Sequence, residues 1–419
     1  MKKIVFILGS YYPYYSAVGR CMGNIIEELD KENEVVVVCL RTKKGQLSHE
    51  KYLDHQIIRT ETKAMLKRRL ITDSINNANG IIKYYNIFIL NIFRIVSFFK
   101  IIFSKDTIDK QLVNVYFEEL KKNKDIDVIV AASSPFESIV ASLKYKKVKK
   151  NVKIVPILFD LFSLNSSLNR LEINKVLKLK NNMMIEEEML KESEKALYVS
   201  SWKKHLETNF NRYSEKLVLI EHPLVKKISD CMCLSNFDKN KINISFTGVV
   251  DKKVRCPIFT LKLLSEVIKN NNNIVMHFFI RGNAIEYIDT YSKKFPGQII
   301  NHGEVESDVA RSAIINSEIL LSIGNSEVVQ IPSKIFEYMS SCKPIIHTYV
   351  TKNDPVIEIL NEYPLSLCLS QNDMDIKESV KKIEEFIKKT QHTELQFSNI
   401  EKIYFNAVPR YTANIIQNI

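Results

Sequence analysis

A chain of 419 residues, 45% of them hydrophobic and 26% charged, carries enough apolar material for two domains of ordinary size and excludes a disordered chain or a small disulfide scaffold. Its 60 Lys and Arg exceed its 48 Asp and Glu by twelve, a balance that points to an anionic partner: membrane, nucleotide or nucleic acid. Seven cysteines scattered through mostly apolar runs make no disulfide framework and fit a reducing compartment, and Cys231 and Cys233, the one close pair, have no second pair or His cluster nearby to complete a zinc site.

The opening Met1-Lys2-Lys3 before Ile4–Leu8 imitates a signal peptide. Its apolar run is short, however, and Tyr11–Tyr15 follow with no small-residue cleavage site, so the expectation is a first β-strand in a cytosolic protein. Short apolar runs then alternate with longer amphipathic ones, as βαβ units require. Strands are expected at Lys3–Gly9, Glu34–Cys39, Asp127–Ala132, Lys153–Phe159, Ala196–Ser200 and Lys216–Ile220, and helices at Gly19–Leu29, Phe136–Tyr145, Met183–Ser193 and Trp202–Asn209. The strands are continuously apolar rather than alternating, which suits a parallel sheet covered on both faces.

Half of the positive excess lies between Thr62 and Lys110, where nine basic residues face three acidic ones. The same region holds Tyr84–Phe103, the most apolar stretch of the chain, interrupted by Arg94 and Lys100 and short of a clean membrane span. An interfacial helix on anionic lipid is one expectation. A core or cleft-lining helix of the first domain is the other.

Around Ile228–Asn240 the pattern lapses into polar residues and then restarts, which marks a linker and a second domain. Its strands are expected at Ile242–Gly248, Ile274–Ile280, Gln298–His302, Glu318–Ile323 and Pro344–Tyr349. Its helices are expected at Ile258–Lys269, Ala284–Lys294, Ser307–Asn316 and Ser333–Ser341. The fold class is α/β: two Rossmann-like, doubly wound parallel-sheet domains, 1–225 and 226–395, with a helical segment 396–419 returning to the first. A ligand is expected at the carboxyl ends of the strands, hence in the cleft that such domains face.

The segment Asn325–Ile346 carries the most chemistry. Pro332 pre-sets a helix start, so Ser333 and Lys334 fall in a first turn where backbone N–H groups and the Lys334 ammonium can meet a phosphate. Glu337 follows on the same face and could accept two hydrogen bonds from the vicinal diol of a ribose. From spacing alone, an ordinary Lys334–Glu337 ion pair on a solvated face is the commoner arrangement.

The run Ile331-Pro-Ser-Lys-Ile-Phe-Glu-Tyr-Met-Ser-Ser-Cys-Lys-Pro344 resembles the nucleotide-sugar motif of family 4 glycosyltransferases of the GT-B fold, and is most similar to the branch that builds bacterial capsule and O-antigen polysaccharides. The loop from Tyr12-Pro13 to Gly19, Ser133-Ser134-Pro135, Asp160, Glu186–Glu188, and Gly248 with Arg255-Cys256-Pro257 fall in the order such a protein has. The resemblance implies that Glu337 holds the ribose, that Arg255 and Lys334 neutralise the pyrophosphate with Ser333 beside them, and that the Gly248 loop lets backbone approach the phosphates. Val329 stands where the family often has a further glutamate. Asn325, Ser326 and Gln330 are the neutral groups near enough to hold the donor sugar instead. Gly19 would lie in the acceptor loop. Asp160 is the candidate base if configuration inverts, an N-cap or turn residue otherwise; the family resemblance favours retention. His222 and His302 read as turn histidines.

The implied activity is transfer of a sugar from a nucleotide-diphosphate sugar, a substrate rather than a cofactor, to a lipid-linked or oligosaccharide acceptor, without a metal. The implied place is the cytoplasmic face of the plasma membrane. A sugar-nucleotide epimerase of the same architecture and a catalytically silent nucleotide-sugar-binding homologue are the alternatives. Nucleic acid is not an expected partner, because the positive charge is not interleaved with aromatic stacking platforms.

Overall fold

The computed structural model describes residues 1–104, 106–164, 172–228, 237–326, 331–372, 375–391 and 393–419. The chain divides into two units, the first Met1–Pro223 with Pro409–Ile419, the second Leu224–Val408. The division therefore differs from the boundaries expected at 225 and 395. The helix Phe397–Ile403 belongs to the second unit, and the return to the first begins only at Pro409.

The first unit is built on eight strands: β1 (Lys3–Ile7), β2 (Glu34–Leu40), β3 (His49–Tyr52), β4 (His55–Thr60), β5 (Val128–Ala132), β6 (Lys153–Leu158), β7 (Ala196–Tyr198) and β8 (Leu217–Leu219). They lie in the order β3-β4-β2-β1-β5-β6-β7-β8, parallel throughout except for the antiparallel β3–β4 edge. Ile4–Ile7 of β1 are wholly buried between β2 and β5, with Val5 opposite Val36 and Ile129. Each such apolar side chain contributes about 1.5–3 kcal/mol on burial. The sequence reading missed β3 and β4. β3 is a polar edge strand of His, Glu, Lys and Tyr, and β4 alternates buried with more exposed positions instead of running continuously apolar.

Among the described residues eight α-helices accompany this sheet: α1 (Ala17–Leu29), α2 (Lys63–Asn77), α3 (Gly80–Phe103), α4 (Lys110–Lys122), α5 (Glu137–Val148), α6 (Glu172–Glu192), α7 (Lys203–Asn209) and the returning helix Pro409–Gln417. Ser16 starts α1 by accepting the Gly19 N–H at 3.0 Å. α4 and α5 bury Val113, Tyr116, Leu120, Ala141 and Tyr145 against the strands.

α2 and α3 depart from this scheme. They pack on each other, α2 buries no residue, and α3 leaves Ile81, Tyr84, Phe88, Ile95 and Phe103 more than half exposed. α3 is therefore not a core helix. Over Gly80–Phe99, a window with Lys83 and Arg94 as its charged residues, it is also long and apolar enough to cross a bilayer by length and composition.

The second unit holds β9 (Ile242–Val250), β10 (Ile274–Gly282), β11 (Ile299–Gly303), β12 (Ile319–Ile323), β13 (Ile345–Tyr349) and β14 (Ser366–Ser370). Their order is β11-β10-β9-β12-β13-β14, all parallel. Helices α8 (Ile258–Asn270), α9 (Ile285–Lys294), α10 (Ser307–Asn316), α11 (Lys334–Ser340), α12 (Pro355–Asn361), α13 (Ile376–Thr390) and α14 (Phe397–Ile403) follow in turn. Counted from its own first strand this order is 3-2-1-4-5-6, the doubly wound order that reverses between β9 and β12 and opens a crevice there, beyond the carboxyl ends of those two strands. The core beneath it joins Ile244, Phe246, Phe278 and Leu321 to Leu261 and Leu264 of α8.

Candidate active site

Gly248, Arg255, Asn325 and α11 all lie in the second unit, on loops and a helix at the carboxyl ends of β9 and β12. Gly248 is near the end of strand β9, opposite Ile280, with φ at 157° and Arg255 Nη1 3.9 Å from where a Cβ would stand. The chain then doubles back. Asp251 and Arg255 exchange backbone hydrogen bonds, and the Asp251 carboxylate accepts the N–H groups of Lys253 and Val254 at 2.8 Å. Those two bonds, Val254 first, hold the Asp251 carboxyl below its ordinary value.

This turn carries Arg255 inward. Its Nε donates to Asn325 Oδ1 at 3.0 Å. Burial pulls the guanidinium below its usual value while Tyr338 and Asp354 act against that, and it stays charged at any physiological pH. Ser326 clasps the same turn, its N–H donating to the Val254 carbonyl at 2.8 Å and its Oγ to the Lys253 carbonyl at 2.9 Å. Asn325 and Ser326, after β12, are thus tied to the turn after β9.

α11 begins one residue later than expected, with Ser333 at its N-cap making no capping bond and Lys334 as its first residue. Ile335, Phe336, Tyr338 and Met339 are buried. Tyr338 fixes the helix against β9: its hydroxyl accepts the Thr247 N–H at 2.9 Å, immediately before Gly248. Burial pushes that phenol up to about 12. The outward face holds Lys334 and Glu337, joined at 2.6 Å and both partly exposed. The ion pair that spacing alone favours is present, on a helix that Tyr338 ties to Thr247 of β9, the residue before Gly248. An exposed pair of this kind is worth about 0–1 kcal/mol, so a ligand diol or phosphate can replace either partner at small cost.

Two residues that sequence reading passed over complete the loop. Gly324 follows β12 where a Cβ would stand 2.4 Å from Asp354 Oδ2 and 3.1 Å from the Thr348 carbonyl, so no larger residue fits. Asp354 caps α12 through its other oxygen, at 2.9 Å from the Val356 N–H, and lies 3.4 Å from Nε2 of the buried His347. A lone glycine directly after an apolar strand and Asn-Asp-Pro before a helix were the available signals.

In the first unit, Asp160 stands just past β6. Burial raises its carboxyl above the ordinary value, and nearby His222 acts against that rise. His222 is buried beside the Phe159 ring, with Nδ1 3.6 Å from Glu221 Oε2. Glu221 in turn accepts the Ser200 N–H. The structure thereby places Asp160 and His222 together and adds Glu221, which sequence reading missed although it precedes His222. Gly19 lies inside the first turn of α1, where a Cβ would stand 2.1 Å from the Ser10 carbonyl oxygen. Its physical requirement is close packing of α1 on the loop after β1.

Glu186 is fully buried and bonds to His205 at 2.8 Å and to the Ser163 N–H at 2.9 Å, a structural tie. His302 is a strand residue of β11, stacked on Phe279 at 4.2 Å and bonded to His277 at 3.0 Å. Cys231, Cys233, Glu327, Val329 and Gln330 lie outside the described residues. Among the described residues no group of three His, Cys, Asp or Glu is placed to hold a metal. Asp-x-Asp strings do occur in the chain: Asp127 of the first receives the Lys3 N–H before β5, and Asp375 of the second caps α13.

No family model and no curated protein matches the chain. Solved structures do, over nearly its whole length. Sucrose-phosphate synthase from Thermosynechococcus elongatus is 10% identical with a TM-score of 0.60, covering 100% of this chain and 98% of that one. A putative UDP-N-acetylglucosamine 2-epimerase from Listeria monocytogenes is 11% identical at 0.58, covering 100% and 95%. The lipopolysaccharide outer core galactosyltransferase WaaB is 14% identical at 0.54, covering 100% of both chains. At such identities the likeness establishes the fold: α/β with two parallel-sheet domains, the GT-B fold that glycosyltransferases and UDP-sugar epimerases share.

Proposed function

We propose that the protein is a glycosyltransferase that takes a sugar from a nucleotide-diphosphate sugar and passes it to a saccharide acceptor. The observation that carries this is that Arg255, bonded to Asn325, and the Lys334–Glu337 pair on α11, a helix tied to Thr247 through Tyr338, belong to segments at the carboxyl end of β9, where the second sheet reverses its strand order. Glu337 would exchange its bond to Lys334 for the ribose diol. Lys334 and Arg255 would take the pyrophosphate, with Ser333 and the Gly248 backbone beside it, and Asn325 orients Arg255. Negative charge grows on the departing diphosphate during transfer, and two fixed cations stabilise it there. The reading includes no metal, and it favours retention of configuration. Asp160, beside His222, is the group to accept a proton should configuration invert.

The acceptor is expected on the first unit near Gly19 and to be lipid-linked, because the α2–α3 hairpin offers anionic lipid an apolar helix flanked by Lys63, Lys67 and Arg68. On this reading the protein is peripheral at the cytoplasmic face of the plasma membrane and works in cell-surface polysaccharide synthesis, as the resemblance of Ile331–Pro344 implies. Purified protein should release nucleoside diphosphate only with donor and acceptor both present. Glu337→Ala removes two hydrogen bonds to a carboxylate, each worth about 1.5–3 kcal/mol, and should lower kcat/KM by about a hundredfold or more. Unchanged turnover in that variant would remove the assignment.

The likeness to the Listeria epimerase favours a second reading, a sugar-nucleotide epimerase. It would convert the donor with no acceptor present, which mass and NMR analysis of donor alone resolves.

A further inference from the structure

The first unit contains a cavity of about 420 Å³ lined by α4, α5, α6 and residues 106–108. Its volume falls within the range of about 300–1,000 Å³ usual for small-molecule sites. Asn182 of α6 lines it. This side chain is 0% exposed, and neither its carbonyl oxygen nor its amide nitrogen has a hydrogen-bond partner among the described residues. Thr107 lines the same space with its hydroxyl likewise buried and unpartnered. The walls between them are aliphatic: Ile108, Val113, Val140 and Ile185. Asn182 also occupies the face of α6 that buries Met189 two turns on, where helical spacing calls for an apolar residue. A buried carboxamide left unpaired costs about 1–3 kcal/mol. Leucine would fill that position without the penalty.

The chemistry of the lining selects the occupant. Lys110 is paired with Asp106 at 2.8 Å and Lys144 is bonded to Asn114 at 2.7 Å, so the cations at the mouth already have partners and an acidic group stands among them. An anion is not what this site is built for. Among the described residues no aromatic ring lines it, so a flat base has no stacking surface there. A carboxamide offers a donor and an acceptor side by side, which matches two adjacent hydroxyls of a sugar ring, one accepting and one donating. The Thr107 hydroxyl meets a third, and the aliphatic walls meet the C–H face of the ring.

We propose that this cavity is a binding site for a neutral saccharide unit, held by Asn182 and Thr107. It stands on the first unit alone and does not depend on the reading of Arg255, Lys334 and Glu337. The test is isothermal titration and ligand-observed NMR on the full chain with the methyl glycosides of glucose, galactose and mannose and with maltose and lactose. At least one should bind saturably at about millimolar Kd. Asn182→Leu should fold with a Tm at or above that of the unaltered protein and bind at least tenfold more weakly. Thr107→Val should weaken binding severalfold and serves if the first variant does not fold. Glu337→Ala should bind as before, which separates this site from the donor cluster. Absence of saturable binding by all five sugars, binding indifferent to both substitutions, or competition by inorganic phosphate at matching concentration would each overturn the proposal.

Discussion

Of the seven residues of α11, Ile335, Phe336, Tyr338, Met339 and Ser340 are buried and Lys334 and Glu337 look outward, whereas α2 buries none of its fifteen residues and α3 holds Ile81, Tyr84 and Phe88 in the open. Both regions are rich in large apolar side chains flanked by cations. They differ in what the apolar face is for. In α11 it fixes the helix against the end of β9 and leaves two charged groups outward, while in the hairpin it is left without a partner among the described residues, which is the condition the proposed lipid contact would need. Apolar content alone therefore does not locate a core.

The comparison can be broken most forcefully at Phe336. Replacing this fully buried ring by alanine should cost about 3–5 kcal/mol, read as a fall in the denaturant midpoint, and donor binding should fall with it. Glu337→Ala, one residue along on the open face, should leave the midpoint within about 0.5 kcal/mol of the starting value while turnover collapses. A midpoint that fell equally in both variants would show that Glu337 holds the helix rather than a ligand.

The hairpin calls for the reverse pattern. Phe88→Ser with Ile95→Ser alters two side chains more than half exposed, so Tm should scarcely move, yet affinity for phosphatidylglycerol-containing vesicles should drop by about tenfold or more. Equal vesicle binding by the double variant would end the lipid reading of this surface. Binding should also weaken with salt, since the flanking lysines and arginine act over about one Debye length.

The smallest effect concerns Asp160, whose carboxyl burial raises above its ordinary 3.8. A carboxyl with a higher pKa folded than unfolded costs stability at pH above both values, and the cost disappears once pH falls below the unfolded one. Asp160→Asn should therefore raise Tm by about 2 °C at pH 7 and leave it unchanged near pH 3. A gain that persisted in acid would mean that the effect is not electrostatic.

How legible all this was depended on how local the cause is. The strands at Lys3–Ile7, Glu34–Leu40, Ile242–Val250 and Ile345–Tyr349 were readable within a residue or two, because uninterrupted β-branched runs have few other uses. β3 and β4 were not, since a polar edge strand looks like a loop. Arg255, Asn325, Lys334 and Glu337 were singled out from motif and spacing, and the structure brings Arg255 to Asn325 and Lys334 to Glu337. Gly324 and Asp354 each carried a local signal, but the contact between them, like that of Thr247 with Tyr338, was beyond reach: each pair joins segments at least thirty residues apart that meet only once β9, β12 and β13 are in register. The same holds for Asn182, whose isolation becomes visible only when α4 and α5 stand around it.

The helix Pro409–Gln417 packs on α1, with Lys2 Nζ bonded to the Gln417 carbonyl and Asn33 to the Gln417 side chain at 2.7 Å. The first unit is thus assembled from segments that the ribosome delivers nearly two hundred residues apart. A nascent chain that has released residues 1–223 still shows a bare flank on α1, and translation must run through the whole second unit before that flank is covered. Expressing 1–223 by itself should accordingly yield an unfinished body that a separately supplied 409–419 peptide could complete.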